Sequence, residues 1–275
     1  MKVELKTWTN LGVATALAGL TLAGCSGEAG ESGESAAVDT AGEAGEGGEG
    51  EGGEGGEGGE GGVDIAAAGN DPVIYGSALA VAEAHVIAAR DAYAAGQTEA
   101  GAEMFAHPVS EVLFEMQPVF EAQGVEDFSD LFTTASQAAL NGAGSDEIAG
   151  QTDGIIAALR TAEERAPVSE ANSGAIAGGV VADQIERAVS MYAQASETTQ
   201  YGLYLDGYGF YKAAQATFER SADAIKSENP DLAEKIEAAL GLLAQAYPDA
   251  LRPENLDANQ GALSGASAGV LLAAS

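Results

Sequence analysis

The sequence predicts an all-α protein, an antiparallel helical bundle over residues 63–275, preceded by a disordered acidic Gly/Glu linker. Three observations predict it: alanine is abundant, runs of β-branched residues are few, and apolar residues recur at spacings of three and four. The first helix is expected from about 71 to 95. Asn70 or Asp71 caps it, Pro72 fits its first turn, Gly96 closes it, and Tyr75, Leu79, Val86 and Tyr93 form its stripe. A short helix follows near 99–106. Pro108 is expected to open the next, which bends at Pro118 and ends by Gly124. Further helices are expected near 127–140, 146–165 and 169–198. The paired glycines of "AIAGGVVAD" are a weak point in the last of these, because glycine lowers helix stability. The segment "QYGLYLDGYGFY" reads as irregular, with helix resuming from about 209 to 226. Pro230 starts a helix to about 246, and the glycine-rich tail predicts a last one.

Ahead of the bundle, Lys2 and Lys6 precede an apolar run, Leu11 to Ala23, that ends in Leu22-Ala23-Gly24-Cys25. The run is short of the roughly 20 apolar residues that span a bilayer and has the length of a signal-peptide core. Small residues directly before a cysteine resemble the lipobox of bacterial lipoproteins. That resemblance implies a signal peptide over 1–24, cleavage before Cys25 and lipid, palmitate included, on the new N-terminal cysteine. It also implies a membrane partner. Ser26, rather than aspartate, implies sorting to the outer membrane, facing the periplasm. Cys25 is the chain's single cysteine, so no disulfide forms within one chain and zinc sites built on several thiolates are excluded.

Residues 25–62 read as a lipid-anchored tether. Glutamate and glycine dominate, with a late Gly-Gly-Glu period and no lysine, arginine or aromatic residue. Such a segment buries too little apolar surface to offset chain entropy, and like charges extend it. The bundle segment is itself acidic, with 31 acidic against 9 basic residues over 63–275. No basic stripe is available to meet phosphates, so nucleic acid is not an expected partner. Anionic membrane surfaces are disfavoured for the same reason.

The chain has two histidines. His85 lies in mid-helix in "AVAEAHVIAARDAY". Glu83 is two residues away and does not share its face. Val81, Ala82, Ala88 and Ala89 flank it, which turns it inward. His107 precedes Pro108, which favours a helix cap at His107, and Glu111 falls in the first turn after it. A structural helix start accounts for Pro108 and Glu111 alone. A metal site requires His85 and His107 to converge across the turn at Gly96, with oxygen ligands from Glu111, Glu103 or Glu115. Imidazole with carboxylate suits divalent iron, zinc or copper. The same groups also form a general acid–base pair.

The stretch from Gly76 to Phe128 resembles exported helical proteins of proteobacteria, in which a histidine on one helix is followed by a His-Pro-x-x-Glu turn. "YLDGYGFYKAA" resembles their second motif. The bundle plan and "LLAQAYPDALRP" also distantly resemble imelysin-type proteins, which include periplasmic iron-uptake components. Their mark is His-x-x-Glu on one helix; here Ala88 stands in the glutamate's position.

Between Tyr201 and Tyr211, four tyrosines, Phe210 and Asp206 interleave with glycine. Tyr204, Asp206 and Tyr208 are ligand-pocket candidates. The alternative is a core turn with Asp206 capping the following helix. Gly265-Ala266-Ser267-Ala268-Gly269 matches the G-x-S-x-G pattern, but no strand precedes it and no histidine follows, so it is not read as a nucleophile. Phosphate loops, dinucleotide fingerprints and HExxH are absent from the sequence. The expected function is therefore a lipid-anchored periplasmic binding protein, with a metal ion as the ligand class. The alternatives are a structural or interaction lipoprotein of the envelope and, last, a metal-dependent hydrolase.

Overall fold

Every described element is helical. The computed structural model describes residues 62–275, and no strand occurs among them. The signal segment, Cys25 and the tether through residue 61 lie outside the described residues.

A short α1 (Ile65–Ala68) leads into α2 (Pro72–Ala94), the central helix. Asp71 caps α2 by accepting from the amides of Val73 (2.8 Å) and Ile74 (3.3 Å), and Pro72 occupies the first turn, where a missing N–H costs nothing. By length and composition α2 could cross a membrane, yet 89% of its most apolar window is buried inside the fold. It packs against α3 (Thr98–Pro108), α6 (Ser145–Glu163), α7 (Ser173–Ser196) and α8 (Tyr201–Glu228). Long-range hydroxyl bonds tie its ends down: Tyr75 donates to the Ala162 carbonyl at 2.9 Å and Tyr93 to the Ala143 carbonyl at 2.6 Å.

Pro108 does not open a new helix as the sequence suggests. His107 and Pro108 complete α3, and the chain then widens into a π turn, Val109–Leu113, before α4 (Phe114–Gln123). Pro108 lacks the N–H that would return to the preceding turn, and the chain continues past it through a wide turn in which the Phe114 amide bonds the Val109 carbonyl. Pro118 lies inside α4, which Gly124 terminates. α5 (Ser129–Leu140) then packs on α3 and α6.

The Gly178-Gly179 pair does not interrupt α7, which runs unbroken. A Cβ at Gly178 would lie 2.7 Å from Leu232, and one at Gly179 would lie 2.7 Å from Val73, so the glycines admit neighbouring side chains. The tyrosine-rich segment is not irregular either; α8 begins at Tyr201. Packing overrides local propensity there, because the rings of Tyr204, Tyr208 and Tyr211 lie in the core and the hydroxyls of Tyr201, Tyr204 and Tyr208 reach backbone or side-chain acceptors. Asn229 ends α8 and caps α9 (Pro230–Ala246) through the Leu232 amide. The tail packs as α10 (Gln260–Ala274) against α7 and α9, and the Asn229 side chain donates to the Ala273 carbonyl at 2.9 Å. Ser267 is buried inside α10, away from any strand-to-helix turn.

Candidate metal centre

Three segments converge on one point. α2 brings His85, the end of α3 and the π turn bring His107 and Glu111, and α8 brings Asp206. His85 is oriented by its own helix. Its Nδ1 lies 2.8 Å from the Val81 carbonyl one turn back. A carbonyl only accepts, so Nδ1 carries the proton, and in the neutral ring Nε2 presents a lone pair to the cluster. Burial pushes the His85 pKa down, with the Val81 bond and the Glu111 charge pulling partly back, so the neutral form dominates near pH 7. A backbone carbonyl that fixes the tautomer is the arrangement common behind metal-bound histidine.

From Nε2 of His85 the distances are 3.4 Å to Glu111 Oε2 and 3.6 Å to Asp206 Oδ1, and His107 Nδ1 lies 3.6 Å from Glu111 Oε1. These are long for hydrogen bonds. They are somewhat longer than the about 3.3 Å that separates neighbouring donors around a tetrahedral ion with bonds near 2.0–2.1 Å. One donor atom each from His85, His107 and Asp206 lie within 4.8 Å of one another, and the two imidazole centroids are 5.8 Å apart. The side chains grade from buried to accessible: His85 5% exposed, Asp206 22%, Glu111 24% and His107 39%.

Asp206 is disfavoured as a charged carboxylate. Burial first, and the Glu111 charge second, push its carboxyl up to about 7. Its Oδ1 is buried and has no hydrogen-bond partner among the described residues. An orphaned carboxylate oxygen facing a lone-pair nitrogen is the donor geometry that a cation satisfies. The donors open into a cleft of about 590 Å³, whose α7 wall carries Asp183, Glu186 and Arg187. Arg187 bonds Asp183 at 2.9 Å and the Gly62 carbonyl at 2.9 Å.

The residues that the sequence singles out divide sharply. His85, His107 and Glu111 come together. Glu103 is exposed and Glu115 half-buried, and neither lines the cleft. Tyr204 and Tyr208 are not pocket residues. They are buried, donating to the Asp249 carbonyl and to Asp91, each at 2.8 Å. Asp206 does not cap a helix; it lies within α8 and faces the histidines. Ala88 is fully buried in α2, so the position of the imelysin glutamate supplies no ligand. The α7 wall is not foreseen from the sequence. Its only local signal is the spacing of Asp183, Arg187 and Ser190 on one helix face. Comparison with protein-family models, curated proteins and solved structures finds no match to this chain.

Proposed function

We propose that this chain is a lipid-anchored envelope protein that binds one divalent transition-metal ion. His85, His107 and Asp206 serve as ligands, and Glu111 serves as a further ligand or as the charge that completes the shell. The observation that carries this reading is the convergence of the chain's two histidines with an unpartnered buried Asp206 oxygen. Two imidazoles with carboxylate suit zinc, iron(II) or copper(II) and do not suit calcium or magnesium, which take oxygen shells. An ion there would neutralise the repulsion between Asp206 and Glu111 and link three segments of the fold.

The test is elemental analysis and calorimetric titration of the metal-stripped full chain with zinc, iron(II) and copper(II). One equivalent is expected to bind, with a rise in melting temperature. His85→Ala and Asp206→Asn are each expected to reduce affinity at least 100-fold, while Glu103→Ala and Glu115→Ala bind as the parent does. Equal metal content in the His85→Ala chain would exclude the site.

The anchoring part of the proposal rests on Lys2, Lys6, the apolar run and Cys25. Burying an acyl chain contributes about 0.8 kcal/mol per CH₂, and more than one chain holds a protein firmly at a membrane. Cys25→Ala is expected to move the protein from the membrane to the soluble fraction of fractionated cells. Continued sedimentation with membranes would refute the lipid.

A further inference from the structure

The opposite side of α2 carries a second polar cleft, of about 550 Å³, between α2, α6 and α8. Glu83 and His85 are two residues apart and so point to different faces of α2. Arg90, Arg160, Lys212 and Arg220 line this cleft, together with Glu83 and Glu219. Four of the nine lysine and arginine residues of 62–275 therefore gather here, in a chain of net charge −32.

Internal ion pairing accounts for only part of this charge. Glu83 is buried, and its Oε1 accepts from Arg160. Arg160 also meets Glu163 at 3.2 Å, and Arg90 meets Asp91 at 2.8 Å. The other two cations are less well served. Arg220 has its nearest carboxylates, Glu83 and Glu163, at 3.6 and 3.9 Å, and among the described residues its guanidinium bonds only the Thr217 hydroxyl, at 3.3 Å. Burial pushes the Arg220 pKa down, with the Glu83 and Glu163 charges opposing the shift and Arg160 adding to it. Lys212 bonds the Gln215 side-chain oxygen at 2.9 Å and has no carboxylate partner among the described residues. These two side chains lie eight residues apart on α8, about 12 Å along its axis.

We propose that this cleft binds a small multivalent anion, bearing phosphate or carboxylate oxygens, between Lys212 at one end and the Arg220–Arg160 pair at the other. Guanidinium forks match both oxygen geometries, and the lysine supplies a point charge. The site is independent of the metal centre, since it shares no side chain with it.

Pyrophosphate and citrate, as representatives of the two oxygen chemistries, would be titrated calorimetrically into the metal-stripped full chain. Saturable binding of one equivalent of either is expected, and the tighter of the two identifies the class. Lys212→Gln and Arg220→Gln are each expected to weaken it about tenfold, with circular dichroism unchanged. Glu83→Gln, where it folds, removes the competing carboxylate and is expected to tighten it. No saturable binding of either probe up to millimolar concentration overturns the proposal. So does undiminished affinity in both the Lys212→Gln and Arg220→Gln chains, or probe-induced NMR shifts at His85 and His107 in place of Lys212 and Arg220.

Discussion

Gly209→Val is expected to abolish the native fold, and Gly209→Ala to destabilise it by roughly 3 kcal/mol. A Cβ at position 209 would stand 2.5 Å from the Ala84 carbonyl oxygen, 2.9 Å from the Ala84 carbonyl carbon and 3.1 Å from the Ala88 Cβ. Two of these are backbone atoms of α2, which cannot rotate aside as the end of a side chain can. The helices would have to separate. That separation acts directly on the candidate metal centre, because Asp206 lies three residues before Gly209 and His85 directly follows Ala84. Any folded Gly209→Ala protein should therefore bind the ion more weakly than its loss of stability alone would require. Urea denaturation and metal titration of the same preparation measure both. A Gly209→Ala chain with the parent's midpoint would contradict the close approach.

Asp206→Asn is expected to stabilise the metal-free protein at pH 8. The Asp206 carboxyl has an ordinary value near 3.8 and is pushed up to about 7 in the fold. Between these values the native state holds a proton that the unfolded state has lost. Stability therefore falls as pH rises from about 4 to 7, and the deficit persists above 7. A tenfold change in proton affinity corresponds to about 1.4 kcal/mol. Since the side chain retains 22% exposure, a deficit on the order of 2–4 kcal/mol is expected. Asparagine carries no charge to desolvate, so its advantage should appear at pH 8 and vanish near pH 4. With metal present the order should reverse at pH 8, because the parent alone keeps the full ligand set. Parallel stability–pH curves for the two metal-free proteins would show that Asp206 is not destabilised.

Much of the fold is legible in local chemistry. Asp71-Pro72 and Pro230 announce helix starts that the structure keeps. What misleads is any signal whose outcome depends on a distant neighbour. The glycines at 178 and 179 read as weak helix formers until Leu232 and Val73 are seen above them. The tyrosines of α8 read as loop or pocket until their distant hydroxyl partners are known. The candidate centre follows the same rule. The histidine pair stands out because histidine is scarce, and Glu111 follows from its spacing to His107. Asp206 could be named as a pocket or capping candidate but not as a neighbour of His85, since nothing local reveals that α8 lies across from it. Pro108 is the instructive error. It is a helix-start residue by every local rule, yet the chain answers it by widening rather than breaking.

That widening bears on how an ion would leave. The five-residue Val109–Leu113 turn departs from α-helical hydrogen bonding, and Glu111 sits at its middle. Segments of a protein open independently, with free energies well below that of the whole. A donor mounted on such a turn can swing away while α2 and α8 stay closed, so the lifetime of a bound ion would be governed by a local breathing motion and not by the stability of the bundle. Exchange rates of the Val109–Leu113 amides would then track the ion's dissociation rate.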